Sequence, residues 1–112
     1  MSIYKMSTIL FLLSYDIMTM EKEKSMTLAQ LRYVITVSQV GTLSEAAKRL
    51  YISQPSLTNA IKELEKELGI TIFIRTNKGV ILSRQGEEFL GYARQVIEQT
   101  NLIEEKYLQD HN

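Results

Sequence analysis

Between Glu45 and Gly69 the chain reads EAAKRLYISQPSLTNAIKELEKELG, two runs with helical spacing of apolar residues separated by the polar break Tyr51-Ile52-Ser53-Gln54-Pro55. Proline is tolerated in the first turn of a helix, where its missing N–H has no partner to lose, and not in the interior. Pro55 therefore fixes where the second run begins, with the Ser53 hydroxyl placed to cap it. Leu57, Ile61, Leu64 and Leu68 recur at steps of four, three and four and form one apolar stripe, with Ala60 beside it. At about 100° per residue the opposite side carries Pro55, Ser56, Asn59, Lys62 and Lys66, flanked by Thr58 and Glu63. Gly69 stops the helix. Ala46 and Ala47 keep the preceding helix thin on one side, which lets another helix cross close to it.

The flanking sequence supplies the partners. Thr27 and Gln30 are spaced as a capping box, and Leu28, Leu31, Val34, Ile35 and Ser38 follow at helical spacing, so a first helix ends near Gly41. Ser44 has the chemistry of an N-cap for a short second helix, Glu45 to Leu50. After Gly69, TIFIRTNKGVILS holds two β-branched runs around Thr76-Asn77-Lys78-Gly79, a hairpin signal with Asn77 and Gly79 available for positive φ. Ser83 caps a final long helix, with Glu87 and Glu88 in its first turn as the helix dipole favours. Along it Phe89, Ala93, Val96, Thr100, Ile103 and Tyr107 alternate steps of four and three, a loose heptad seam. The predicted order is helix, helix, helix, hairpin, helix: a mostly α architecture with a two-stranded wing.

Composition narrows the function classes. A chain of 112 residues that is 45% hydrophobic and 23% charged suits one small soluble domain with a single core. It contains no cysteine, which excludes disulfides, thiol nucleophiles and thiolate metal sites and suits a reducing cytoplasm. The single histidine, His111, belongs to the tail. With no phosphate-binding glycine loop either, no catalytic constellation, metal site or cofactor is expected, and the chain does not read as an enzyme. Thirteen basic and thirteen acidic residues cancel, so any electrostatic function must come from how charges are distributed.

Residues 1–25 read as an N-terminal extension, loosely helical or disordered, in which MEKEKS from Met20 serves as a charged linker; Met26 is an equally good start. The apolar centre Ile9 to Leu13 is far shorter than the roughly 20 residues a membrane-spanning helix needs. Only Lys5 precedes it as a basic residue, so a secretory signal is not the expected reading. A membrane-anchored protein using this segment is a remote third reading of the chain.

Two helices joined by a tight polar turn have the layout of a helix-turn-helix, whose second helix enters a DNA major groove N-terminus first. Base edges are read by short groups that donate and accept hydrogen bonds, and Gln54, Ser56, Thr58 and Asn59 are of that kind. The alternative is that these residues cap the helix and face water, and on this helix alone the two readings stand level. Lys62 and Lys66 on the same face, with Arg75 and Lys78 flanking the hairpin tip, favour contact with phosphates or the minor groove. Glu63 and Glu67 soften that attraction. Glu21, Glu23, Glu98, Glu104, Glu105 and Asp110 lie away from this face, in the linker or along the last helix.

The segment LRYVITVSQVGTLSEAAKRLYISQPSLTNAIKELEKELGITIFIRTNKGVILSRQGEEFLGYA resembles the N-terminal winged helix-turn-helix domain of LysR-type transcriptional regulators. The resemblance runs from about Met26 to Tyr107 and rests on LSEAAKRLYISQPSLTNAIKELEKELG, IFIR and GVILSRQGEEFL in order. It implies a DNA-binding domain over 26–83 and a linker helix and tail over 84–112. Ser53, Gln54, Pro55, Ser56, Thr58 and Asn59 match the segment that family members place in the major groove. Arg75 falls on the arginine after the wing's first strand, expected near the backbone or minor groove. The final helix matches the one through which two such domains pair antiparallel, making Phe89 to Tyr107 a dimer surface; the alternative is a helix folded back on its own core.

The implied function is transcription regulation by a cytoplasmic, nucleoid-associated homodimer on an inverted repeat in double-stranded DNA. Asn59 is neutral where many relatives are basic, so base preference does not transfer, and the N-terminal extension has no counterpart in the family. LysR-type regulators also carry a larger C-terminal domain for a small-molecule effector, which this chain, stopping at Asn112, lacks; it reads as a fragment or a truncated product. The rival reading is a winged-helix protein-interaction module acting by dimerisation with full-length relatives.

Overall fold

The first helix, α1 (Leu28–Val40), is opened by a complete capping box. The Gln30 N–H donates to Thr27 Oγ1 at 3.2 Å, and the Thr27 N–H donates back to Gln30 Oε1 at 2.9 Å. The computed structural model, which describes residues 8–10, 12, 13 and 25–109, gives Gln30 a second task. Its side chain is buried, and Nε2 donates to the Ala60 carbonyl at 3.2 Å, fastening the start of α1 to the middle of the third helix. Gly41, in the left-handed region, ends α1.

Helix α2 (Leu43–Leu50) is capped by Thr42, not Ser44. Thr42 is extended and its hydroxyl accepts from the Glu45 N–H at 3.2 Å, so Ser44 lies inside the first turn and its side chain is exposed. Helix α3 (Gln54–Leu68) begins at the Ser53 cap with Pro55 in its first turn, and Gly69 ends it. Leu57, Ile61 and Leu64 of its stripe are buried, whereas Leu68 is 38% exposed. That last position runs past the core and instead walls an apolar groove with Met26, Ile70, Phe89 and Tyr92.

Strands β1 (Phe73–Thr76) and β2 (Gly79–Leu82) form the antiparallel wing, pairing Phe73 with Leu82 and Arg75 with Val80. Asn77 and Lys78 make its two-residue turn. Positive φ falls on Gly79 alone of the two expected positions, at 140°, and Asn77 stays in the ordinary region. Glycine is required at 79 for a tertiary reason as well, since a Cβ there would lie 2.2 Å from the Gly41 carbonyl oxygen.

Helix α4 (Arg84–Gln109) is capped by Ser83, whose hydroxyl accepts from the Gly86 N–H at 2.8 Å and donates to the Thr71 carbonyl. Buried residues form three contiguous clusters threaded by α1. Val37 packs with Ala46, Ala47, Leu57 and Ile61; Val34 with Leu64, Ile72 and Leu90; Leu31 with Ala93 and Ile97. Each large apolar side chain removed from water contributes about 1.5–3 kcal/mol. The predicted element order and the winged helix-turn-helix architecture are those observed.

Residues 8–10, 12 and 13 are helical, with Ile9, Leu10, Leu12 and Leu13 exposed. Residues 20–24 of the MEKEKS linker, with Glu21 and Glu23, and the tail residues Asp110 and His111 lie outside the described residues. Among the described residues no helix is long and apolar enough to cross a membrane.

Candidate nucleic-acid interface

Burying Leu57, Ile61 and Leu64 turns the other side of α3 outward, and Ser53, Gln54, Pro55, Ser56, Asn59, Lys62 and Lys66 are all exposed. Thr58 sits at the boundary, half-buried. The Ser53 hydroxyl accepts from the Ser56 N–H at 3.2 Å and donates to Ser56 Oγ at 2.8 Å, so it is occupied by capping. Ser56 thereby retains its own O–H for a donor role outside the chain, while Gln54 and Asn59 present both donor and acceptor groups.

The wing delivers Arg75 to this surface. Side chains alternate along a strand, so Arg75 shares a face with Phe73 and with its cross-strand partner Val80, which pack against the core; Ile74 and Ile81 occupy the outer, exposed face. Arg75 consequently lines two hollows. One, of about 210 Å³, is shared with Gln54 at the start of α3 and with Thr42, Ser44 and Thr76. The other, of about 50 Å³, is shared with Thr58, Lys62 and Glu65 further along α3. Arg75 thus lines both hollows between wing and helix, with Gln54 in the first and Thr58 and Lys62 in the second. Lys78 stands apart on the wing tip, exposed, its N–H donating to Thr76 Oγ1 at 3.3 Å.

Thr42, Ser44 and Thr76 are part of this surface and escaped the sequence reading. The signal for the first two was present: Thr42 and Glu45 have the spacing of a helix start, which sets the cap two residues earlier and turns Ser44 outward. Thr76 was visible only as a turn residue, and its hydroxyl donates to the Gly79 carbonyl at 3.1 Å.

Two of the three acidic residues of α3 are engaged by backbone N–H groups, Glu65 while lining the smaller hollow. Glu65 Oε2 accepts from the Ile72 N–H at 2.6 Å and the Phe73 N–H at 3.3 Å, which fixes β1 to the helix. Glu67 Oε1 accepts from the Met26 N–H at 3.1 Å, on the side of α3 that faces the chain entry. Glu63 alone remains exposed beside Lys62 and Lys66 without such a role. Balanced net charge is therefore compatible with a positive rim of Lys62, Lys66, Arg75 and Lys78.

The seam on α4 divides in two. Ala93 is buried at 1% exposure and Phe89 half-buried, both against Leu31 and Ile35 of α1. Val96, Ile103 and Tyr107 are exposed, at 41%, 60% and 57%. Thr100 is half-buried, its hydroxyl donating to the Val96 carbonyl at 3.0 Å, and the Lys106 ammonium lies 5.4 Å from the Tyr107 ring centroid. Among the described residues no group of three His, Cys, Asp or Glu is placed to hold a metal ion.

Residues 28–87 match the bacterial regulatory helix-turn-helix proteins of the lysR family. The HTH-type transcriptional regulator ClcR of Pseudomonas putida is 44% identical over 77 residues, which cover 69% of this chain and 26% of ClcR. Among solved structures, that of the CbnR_DBD–DNA complex superposes with a TM-score of 0.70 at 33% identity, covering 78% of this chain and 100% of that one. The BenM_DBD/benA site 1 DNA complex gives 0.71 at 30% identity, covering 78% and 98%. The chain spans about a quarter of the length of curated relatives such as ClcR.

Proposed function

The chain belongs to the lysR family of bacterial regulatory helix-turn-helix proteins, and on that premise we propose that it is a sequence-specific DNA-binding domain that regulates transcription. The observation that carries the reading is the hollow in which Arg75 of the wing meets Gln54 at the start of α3. It places a cation that suits a phosphate or a narrow minor groove beside a helix end whose polar groups suit base edges. The similarity to CbnR_DBD and BenM_DBD, both solved with DNA, supports it.

Helix α3 enters the major groove N-terminus first. Gln54, Ser56, Thr58 and Asn59 read bases, Ser53 and Pro55 set the geometry of that end, and Lys62, Arg75 and Lys78 hold the backbone. Two copies pair antiparallel through α4 on an interrupted inverted repeat, with Val96, Ile103 and Tyr107 in contact and Phe89, Ala93 and Thr100 behind them. Residues 26–83 form the DNA-binding unit and residues 84–112 the linker helix and tail. The relatives that match are named as transcriptional regulators, and the domain acts in the cytoplasm on the nucleoid, by binding and not by catalysis.

Selection of bound duplexes from a random pool by the purified chain tests this. Enrichment of two related half-sites in inverted orientation is expected, and a pool that stays random after several rounds would refute the reading.

A further inference from the structure

Tyr51 closes α2 in the left-handed region, at φ 57°, as the only non-glycine residue with positive φ among the described residues. The cap itself is well made: the Tyr51 N–H donates to the Lys48 carbonyl at 3.2 Å and the Ile52 N–H to the Ala47 carbonyl at 3.1 Å. The residues on either side are anchored, Leu50 and Ile52 packing on the Val37 cluster. The tyrosine side chain is not anchored, and at 94% it is the most exposed large hydrophobic side chain described. A left-handed helix cap favours glycine or asparagine, and a bulky residue there is strained. The fold thus holds tyrosine where it gains no packing and where its backbone conformation costs stability. Non-glycine residues held in the left-handed region cluster at functional sites.

We propose that Tyr51 is a DNA-contacting residue whose phenol O–H donates to a backbone phosphate at the edge of the groove that α3 enters. The assignment rests on the DNA-binding reading above. Tyr51 stands two residues before the Ser53 cap, outside the helix and beside the end that bears Gln54 and Ser56. Phosphate oxygens are the acceptors that line a groove edge, and tyrosine hydroxyls are among the groups that bind them. A phenol carries no charge, so this contact adds affinity for every sequence without releasing a counterion.

The test compares the full chain with Tyr51→Phe and Tyr51→Gly, titrated against a labelled duplex enriched from the random pool and against unselected duplexes, with the thermal midpoint of each. Tyr51→Phe should leave the midpoint unchanged and weaken binding about a hundredfold to both probes, the loss of one hydrogen bond to a charged acceptor, worth about tenfold, in each of the two copies. The slope of log affinity against log salt should stay as it is. Tyr51→Gly should raise the midpoint by about 3 °C through relief of the left-handed strain and still bind at least as weakly. A domain that becomes more stable and binds less well separates contact from folding. Tyr51→Phe binding within twofold of the parent would overturn the proposal, as would a Tyr51→Gly variant that melts lower or binds as the parent does. A loss confined to the enriched duplex would make Tyr51 a base reader and refute the phosphate assignment. If the parent binds neither probe, the DNA-binding reading itself falls, and this assignment with it.

Discussion

The main-chain N–H of Val80 donates to the Gly41 carbonyl across 2.9 Å. The wing therefore hangs from the end of α1 as well as from its own hairpin, and the neighbouring Gly79 is pressed against the same carbonyl. That junction holds Arg75, the residue paired with Val80, over the start of α3.

Replacing Gly79 attacks the junction directly. A Cβ at this position would meet the Gly41 oxygen at 2.2 Å and also suffers a φ of 140°. Gly79→Ala should cost about 2–4 kcal/mol, from steric displacement and backbone strain together. A shifted urea midpoint at constant slope would register it, and Gly41→Ala, with open space around its Cβ, should cost less.

Glu65 fixes the other side of the wing. Its carboxylate receives two backbone N–H groups, one from the fully buried Ile72. Glu65→Ala should destabilise by about 2–3 kcal/mol, because two donors lose a charged acceptor, and Glu65→Gln by about 1 kcal/mol, since an amide oxygen remains. Faster hydrogen exchange at the Ile72 amide in Glu65→Ala, with less change in Glu65→Gln, is the expected signature.

Backbone holding and base reading separate by substitution. Arg75→Ala should weaken binding to all sequences and lower the salt slope by about two, one contact on each of the paired copies; Asn59→Ala should chiefly alter which bases are tolerated, by about 1–3 kcal/mol at the contacted position. Parallel titrations over a site library measure both, and identical profiles for the two variants would refute the division of roles.

The two halves of the α4 seam should respond differently to charge. Val96→Glu, at a half-exposed site, should leave the monomer folded and dissociate the dimer, seen as a lower sedimentation coefficient. Ala93→Asp, at 1% exposure among Leu31 and Ile97, should instead unfold the domain, with a loss of about 3 kcal/mol or more. An unchanged sedimentation profile for Val96→Glu would mean that this face does not pair.

Much of this was legible because it is local. The Thr27–Gln30 box, the caps at Ser53 and Ser83, the glycine stops and the Leu57, Ile61, Leu64 stripe each depend on spacing within one element. What escaped depends on contacts between elements. Nothing near Glu65 in sequence shows that β1 will bring two N–H groups to its carboxylate. The spacing of Gln30 from Thr27 shows the cap, whereas its link to Ala60 exists only once α3 crosses α1. On α4 the buried set Leu90, Ala93, Ile97 and the exposed set Val96, Ile103, Tyr107 lie on adjoining stripes, and periodicity alone does not say which stripe the chain's own core takes. The polar start of α3 and Arg75 stand out in the sequence, but that Arg75 shares a hollow with Gln54, Thr42, Ser44 and Thr76 follows only from the wing's attachment.

The most direct test of the central claim is the affinity of the full chain for its enriched duplex between about 50 and 200 mM salt. Lys62, Arg75 and Lys78 on each of two paired copies give about six phosphate contacts, so log affinity should fall against log salt with a slope near −5, a loss of about a thousandfold over that range. Affinity that does not change with salt, or no binding at the lowest salt, would contradict the account.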